Sequence, residues 1–564
     1  TTMAVSKIDL DKCIGCATCV VSCPMDVFRL DTAVEYRQES SPCGLACPLG
    51  IRQREYHHLV RTDRLDEAAE VMRLSHPMPA ITGRLCPHPC EAECTRNLVD
   101  KPVNINALEA FVGDYLLALG PPHAQLPVAE GKVAVLGSGP AGLAAAYFLA
   151  LGGHLATIFE KEHRPGGILR SAVPRFRLPD RVLDRQIEFY EEMGVEFRTG
   201  VRVGADITMD GLRDQGYRAF VAATGATKPM GLQAAGSDAK GIVTAIDFLG
   251  AVKRGGMPNF SGPVAVIGGG SVALDAARTA VRLGARVVNV VCLECREPGL
   301  KDSMLVTASE IDSSLAEGVF IHASRGVHSF VVTNGQVRAL RCVDCLSVRD
   351  DAGRFRPLLG DCVLPDEIEA EMVILATGQW ADPELVPAGF RLNERGLISA
   401  DCTTQWVVAD LFAAGDAVTG PSTIVEALAA GKRAARAVER YFAGEDLSGD
   451  LESRPPRTGE LPAGRILSTE RLERREVPNV ERTRDFREVS LCFGDQEARM
   501  EAERCLTCGS RSVIAYLDDC QVCRLCQHYC PTEAIEVTDG ALLGSLHGWD
   551  VVGLGERGAG APWK

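Results

Sequence analysis

Residues 133–161 read VAVLGSGPAGLAAAYFLALGGHLATIFEK. An apolar run ends in Gly137-x-Gly139-x-x-Gly142, a stretch of helical length rich in alanine and leucine follows, and a second strand closes on Glu160. Glycines in these positions allow a tight turn, let the backbone approach a pyrophosphate and let the helix pack closely on the strand. The helix N-terminus then favours the phosphates, and an acid about 20 residues on accepts from a ribose hydroxyl. A GxGxxG alone is often just a loop; with strand, helix and acid in place it reads as a dinucleotide site. Residues 264–294, VAVIGGGSVALDAARTAVRLGARVVNVVCLE, repeat the unit, with Gly268, Gly270 and Ala273 in the fingerprint positions and Glu294 after the second strand. Two such sites in one chain suggest FAD at the first and a nicotinamide, NAD(H), at the second.

Outward from these stretches, strand, Gly-rich turn and helix alternate from about 130 to 440, which predicts an α/β class with two Rossmann-like nucleotide-binding units. In LFAAGDAVTGPSTIVEALAAGKRAA (411–435), Asp416 after Gly415 suits the flavin's ribityl or phosphate region, and a helix from Thr423 points its positive end at the ring. The turns Ala223-Thr224-Gly225 and Ala376-Thr377-Gly378 mark crossings, so a FAD unit (129–260 and 376–443) is expected to be split by an inserted NAD(H) unit (261–375). The candidate FAD contacts are Gly137, Gly139, Pro140, Ala141, Gly142, Glu160, Lys161, Gly167, Arg177, Ala223, Thr224, Gly225, Gly415, Asp416, Thr423 and Ile424. Those for the nicotinamide are Gly268, Gly270, Ser271, Val272, Ala273, Glu294, Thr377 and Gly378.

The 564 residues allow several domains, and 46% hydrophobic with 24% charged residues is the balance of an ordinary globular protein. A net charge of −15 makes nucleic acid or an anionic membrane a poor partner. No apolar run approaches the length of a spanning helix, and Thr1 to Leu10 lacks a signal-peptide apolar core, so a cytoplasmic protein is expected. In such a compartment 22 cysteines are a liability unless most bind metal.

Cys13-x-x-Cys16-x-x-Cys19-x-x-x-Cys23-Pro24 and Cys520-x-x-Cys523-x-x-Cys526-x-x-x-Cys530-Pro531 both match the bacterial ferredoxin run, whose fourth cysteine usually ligates the other cluster of a pair. Zinc needs no third CxxC step, and disulfides do not suit the compartment. The two ends, 1–35 and 511–564, are expected to meet as one split ferredoxin-like domain. Cys13, Cys16, Cys19 and Cys530 would then hold one cluster, and Cys520, Cys523, Cys526 and Cys23 the other. Two independent single-cluster units are the alternative.

The chain resembles the small subunit of glutamate synthase, a module shared with the N-terminal half of dihydropyrimidine dehydrogenase and the large subunit of bifurcating NADH-dependent ferredoxin:NADP oxidoreductases. CPLG, TGRLCPHPCEAEC, GSGPAGLAAA, GGILRSAVPRFRLP and GGGSVALDAAR carry the likeness, over about residues 40 to 510. It implies an electron-transfer flavoprotein in which a nicotinamide reduces FAD and iron-sulfur clusters carry electrons away. It also implies a small helical 4Fe-4S domain at 36–128, but the EAxRCLxC element that normally precedes CxxxCP stands instead at EAERCLTC (501–508). The domain looks circularly permuted, completed by a returning segment (483–510) after an extended linker (444–482). By position in the family pattern, Cys43, Cys94, Cys505 and Cys508 would bind one cluster. Cys47, Cys86 and Cys90 would bind another, with Glu109 where relatives use a non-cysteine ligand; a helix-surface Glu is the ordinary reading of such a residue.

These assignments fill the sixteen ligand places of four 4Fe-4S clusters. They leave Cys292, Cys295, Cys342, Cys345, Cys362, Cys402 and Cys492 as structural thiols, Cys342-x-x-Cys345 having no partner of matching spacing. Relatives using NADPH typically place an aromatic and two arginines after the second strand of the nicotinamide unit. Here Val290-Val291-Cys292-Leu293-Glu294 stands there, and a carboxylate repels a 2'-phosphate, so NADH is expected. The alternative is that Glu294 is a solvated acid and Arg286 or Arg296 reads the nucleotide. Hydride chemistry belongs to the cofactors, so no catalytic acid or base is named, and His154, His163 and His322 belong to no motif. The expected activity is NADH:ferredoxin oxidoreduction, or the diaphorase step of a larger anaerobic enzyme, with ferredoxin or a catalytic partner subunit as acceptor. A glutamate synthase small subunit and a non-catalytic wiring subunit are the alternatives.

Overall fold

In the computed structural model the described residues are 4–9, 12, 19, 28–31, 41–121, 131–256, 260–297, 299–447, 468–506, 508, 511–514, 525–530 and 535–538. A six-stranded sheet runs in the order Trp406–Val408, Leu411–Ala413, Tyr217–Ala222, Lys132–Leu136, Leu155–Glu160, Glu196–Thr199. All its pairs are parallel except the first. Lys132–Leu136 is buried beyond its first residue, as expected for a central parallel strand covered on both faces. The helix Pro140–Leu151, buried from Ala141 to Ala150, lies on it. The helix Ile424–Ala443 crosses so close that a Cβ on Gly431 would stand 2.2 Å from the Ala141 carbonyl oxygen.

Between the neighbouring strands Tyr217–Ala222 and Leu411–Ala413 the chain leaves to build a second, wholly parallel sheet. Its order is Val319–His322, Val287–Val291, Pro263–Ile267, Met372–Leu375, Ile242–Thr244. Ile242–Thr244 and the helix Ala245–Lys253 precede residue 261, so this unit begins upstream of the expected boundary. A three-residue strand with no glycine fingerprint carries too little pattern to be seen in sequence. A long antiparallel sheet, Arg325–Thr333, Gln336–Arg349 and Phe355–Glu369, is appended to the unit.

The helical domain comprises Pro42–Ala46, Gln53–Arg61, Leu65–Ser75, Pro79–Leu85, Pro89–Ala92 and Ile105–Leu119. Pro79–Leu85 and Ile105–Leu119 touch backbone to backbone: a Cβ on Gly83 would lie 2.4 Å from Ala110 N, and one on Gly113 2.2 Å from Ala80 N. The expected linker is no free tether where it is described. From Thr469 it binds this domain, Thr469 N donating to Asp100 (2.9 Å) and Arg471 pairing with Glu91 (2.9 Å). The helix Asp495–Glu503 is fastened by buried Glu501, which accepts from Asn104 N (2.7 Å), Leu472 N (2.8 Å) and Arg504 (2.7 Å). Arg482, in the same segment, joins Arg278 and Arg282 around buried Glu317 of the second unit.

The chain ends meet. Ala4–Ile8 pairs antiparallel with Ile535–Thr538, and Phe28–Asp31 pairs antiparallel with Arg511–Ile514. Each half of the ferredoxin-like unit thus supplies one strand to each ribbon. No described helix is long and apolar enough to cross a membrane.

Candidate functional site

The first glycine loop is shaped by close approach. Gly137 has φ +109° and a Cβ there would lie 2.5 Å from the Ala223 carbonyl oxygen; one on Gly142 would lie 2.0 Å from the Gly137 oxygen. A Cβ on Gly139 would meet nothing within 4 Å, so the backbone ahead of Pro140 and Ala141 is open to a ligand. Glu160 is buried and turns back onto the loop, accepting from Ser138 N (3.0 Å) and Glu162 N (2.9 Å). Gly167 abuts the loop, its added Cβ 2.7 Å from Gly139 Cα. Ala223 hangs from Leu136 (N to O 2.9 Å), leading into Thr224 and Gly225.

Gly415, at φ +72°, brings the strand end to Ala141. Next to it burial pushes the Asp416 carboxyl up to about 6, while Ser422 donates to it (Oγ 2.8 Å). Thr423 caps Ile424–Ala443 in a capping box with Glu426, as the sequence of that turn dictates. Two expected contacts are engaged elsewhere. Lys161 pairs with Glu162 at 3.0 Å. Arg177, assigned to FAD, reaches the second unit, 3.0 Å from both Asp275 and Glu310. A partly buried guanidinium goes where carboxylates can pair it, and those stand across the interface.

The second loop repeats the geometry. A Cβ on Gly268 (φ +134°) would lie 2.3 Å from the Ala376 oxygen, Gly270 faces open space, and Ala273 is fully buried. Ser271 opens the helix ahead of Val272 and hydrogen-bonds Glu310. The Glu294 carboxylate lies over this loop, its Oε2 2.5 Å from where a Gly269 Cβ would be. Glu160 stands over the matching position of the first loop, Ser138, where it also accepts from the backbone N–H. Arg286 is exposed and directed at Glu369 (3.6 Å), and Arg296 is exposed. Thr377 donates to the Met230 carbonyl (2.8 Å) and the Gly378 carbonyl accepts from Met230 N (3.0 Å). They stitch the two crossing strands, Gln379–Trp380 and Lys228–Pro229, together.

The cysteines of the helical domain gather in two groups. Cys43 lies within electrostatic reach of Cys505, Cys94 and Cys508, with Ser41 Oγ 3.1 Å from its sulfur and Thr95 Oγ1 3.2 Å from that of Cys508. Cys90 lies likewise near Glu109, Cys47 and Cys86. Backbone N–H groups ring the sulfurs. Ile51, Leu49 and Gly50 donate to Cys47, Val103 and Arg96 to Cys94, and His88 to Cys86 (3.4 Å).

Burial pushes the thiols up, so a bare thiolate is disfavoured here, whereas thiolates bound to iron and solvated by N–H donors suit the site. Glu109 is no surface residue. It is buried where the two helices touch, accepts from Thr82 Oγ1 and stands 3.3 Å from His76 Nε2. Among the described residues no three His, Cys, Asp or Glu are close enough for a single metal ion; a four-iron cube needs its ligands further apart.

Of the ferredoxin-run cysteines, Cys19 and Cys526 are buried, and Cys530 N donates to the Cys526 carbonyl (3.1 Å). Cys13, Cys16, Cys23, Cys520 and Cys523 lie outside the described residues. Cys342-x-x-Cys345 does have a counterpart of matching spacing: Cys292-x-x-Cys295, with Cys345 and Cys295 both within electrostatic reach of Cys292. A side-by-side reading of the two CxxC steps would have found it. Sequence reasoning also missed Lys432 and Tyr56, which belong to no motif; both come to the cysteine groups through packing.

Comparisons with known proteins agree with this architecture. Residues 131–431 match the pyridine nucleotide-disulphide oxidoreductase family, residues 36–120 the dihydropyrimidine dehydrogenase domain II, 4Fe-4S cluster family, and residues 5–28 a 4Fe-4S binding domain. The chain is 35% identical to the NADP(+)-dependent formate dehydrogenase subunit beta of Moorella thermoacetica, over 83% of this chain and 70% of that protein. It is 33% identical to the NADPH-Fe(3+) oxidoreductase subunit beta of Geobacter sulfurreducens, over 83% and 75%. It is 35% identical to the glutamate synthase [NADPH] small chain of Mycobacterium tuberculosis, over 71% and 86%. The stretch 166–177, beside the first loop, contains no cysteine pair of the kind a disulfide reductase needs.

Proposed function

The chain belongs to the pyridine nucleotide-disulphide oxidoreductase family, with 4Fe-4S domains added, and from that premise we propose that it is the nicotinamide-reading subunit of a larger cytoplasmic redox enzyme. Electrons would enter from NADH and leave to ferredoxin or to a catalytic partner subunit. The relatives named as beta subunits or a small chain of larger enzymes support a partner. One observation carries the reading: the returning segment puts Cys505 and Cys508 beside Cys43 and Cys94, in a domain packed on the flavin-loop helices.

The roles of the chain's residues follow from their placement. Gly137, Gly139 and Gly142 would admit the FAD pyrophosphate, Glu160 its ribose, and Asp416 with Thr423 the flavin end. Gly268, Gly270 and Ala273 would hold the second dinucleotide, with Ser271 and Glu310 beside it. Cys43, Cys94, Cys505 and Cys508 would ligate one cluster, and Cys47, Cys86, Cys90 and Glu109 a second. The two ferredoxin runs would hold two more, making four. When bound, FAD exchanges a hydride for single electrons and the clusters store single electrons.

We further propose that NADH is preferred, although the relatives are named for NADP(+) or NADPH. Glu294 occupies over the second loop the place of the ribose acid, and a carboxylate there disfavours a 2'-phosphate. Comparing kcat/KM for viologen reduction with the two nicotinamides decides it, and a clear NADPH preference sinks the claim. Anaerobic native purification with mass spectrometry of whatever co-purifies tests the partner. A chain that runs alone yet reduces free ferredoxin with NADH is a stand-alone oxidoreductase instead.

A further inference from the structure

Lys432 sits on Ile424–Ala443, next to Gly431, which packs against Ala141 at the start of the helix that follows the first glycine loop. Its side chain leaves the flavoprotein core and enters the helical domain. Nζ donates to the Leu49 carbonyl (2.8 Å) and the Ser75 carbonyl (3.3 Å), and lies 5.2 Å from the Phe148 ring centroid. Ser75 ends the helix Leu65–Ser75, so its carbonyl is one of the unpaired, partly negative C-terminal groups. Leu49 belongs to the turn whose N–H groups, Leu49, Gly50 and Ile51, point at the Cys47 sulfur.

No carboxylate pairs with Lys432 among the described residues, and the titratable groups within electrostatic reach of it are Arg436 and Cys47. Withdrawal from water without a counter-ion is costly, and burial pulls its ammonium down to about 8. Two carbonyls and a ring face solvate the cation but do not neutralise it.

We propose that Lys432 is the counter-charge of the cluster held by Cys47, Cys86, Cys90 and Glu109, a positioning residue on the flavin helix that raises that cluster's reduction potential. This rests on reading those four residues as ligands of one cluster. A 4Fe-4S core held by three thiolates and a carboxylate is net negative before and after it takes an electron, and more so after. A fixed cation beside it therefore favours the reduced form. The same ammonium holds the Leu49 carbonyl, so it fixes the turn that aims N–H donors at the cluster sulfur. Entry of an electron is thereby favoured at the cluster of Cys47, Cys86, Cys90 and Glu109.

The test is an EPR-monitored redox titration of the full-length, anaerobically prepared chain, with FAD and iron measured on each sample. Cys47→Ser first identifies the signal of this cluster; if Cys47→Ser leaves every signal and the iron content unchanged, the ligand reading itself fails. In Lys432→Met that signal is expected to move to lower potential by about tenfold in the one-electron equilibrium, ~59 mV, with the other clusters unmoved. Lys432→Arg, which keeps the charge, should stay near the wild-type value. Unchanged potentials in Lys432→Met with full iron and FAD overturn the proposal, and so does an equal shift in Lys432→Arg, which would mark packing rather than charge. Should Lys432→Met lose iron, Lys432→Arg decides: retained iron and potential support the counter-charge, and loss in both overturns it.

Discussion

Glu501→Ala should release the segment that completes the helical domain. The wild-type carboxylate is fully buried and accepts from two backbone N–H groups, Asn104 at 2.7 Å and Leu472 at 2.8 Å, and from Arg504 at 2.7 Å. Arg504 in turn reaches Asp100 (2.9 Å) and the Pro102 and Lys101 carbonyls, so the knot joins segments some 400 residues apart. Truncation leaves a buried guanidinium short of one partner and two amides unsatisfied.

Breaking a buried pair by removing one partner costs about 3–5 kcal/mol, and hydrogen bonds to charged groups are worth about 1.5–3 kcal/mol each. The losses are not additive, so about 3–5 kcal/mol is the working figure, a factor of roughly 10² to 5 × 10³ in the docking equilibrium. The helix Asp495–Glu503 leads directly to Cys505 and Cys508. Undocking should therefore remove one cluster while FAD stays bound. The assay is iron and acid-labile sulfide per flavin in anaerobically purified protein, alongside a denaturant melt. Glu501→Gln keeps the shape and should lose less. Full iron content and an unchanged melt in Glu501→Ala would refute the argument that this knot holds the returning segment.

Other expectations follow from single contacts. Glu294→Ser should lower kcat/KM for NADH by about tenfold, ~1.4 kcal/mol, with little change for NADPH, as measured by viologen reduction. Gly137→Ala puts a Cβ 2.5 Å from the Ala223 oxygen at a φ of +109°, so the variant should purify without FAD, read from its visible spectrum. Asp416 has its folded-state pKa raised from 3.8 to about 6 by burial, so the flavin-free native state holds the proton more tightly than the unfolded chain. Its contribution is thus fully present below about pH 4 and is lost as pH rises through about 6. Relative to Asp416→Asn, whose side chain does not titrate, the flavin-free wild-type chain should lose unfolding midpoint as pH rises from 4 to 7, and a difference that does not change with pH would refute the assignment.

Local pattern determined both nucleotide loops. The glycines at 137 and 142, and at 268, stand where a side chain would strike a neighbouring carbonyl, a constraint written within a few residues of chain. The ferredoxin runs were legible for the same reason, since iron ligation imposes a fixed short spacing. What the sequence left open were relations between distant residues. The start of the second unit at Ile242–Thr244 depends on pairing with Met372–Leu375, some 130 residues on. That Arg177 pairs with Asp275 and Glu310 could not be read in the sequence, because those carboxylates lie across an interface.

The permutation suggested by EAERCLTC needed the Glu501 knot to make it physical, and the meeting of the termini rests on two ribbons between opposite ends of the chain. Glu109 and Lys432 show the limit most plainly. A helical glutamate and a helical lysine carry no signal of burial in sequence. Each is turned inward by close-packed helices, away from the water that would otherwise solvate its charge.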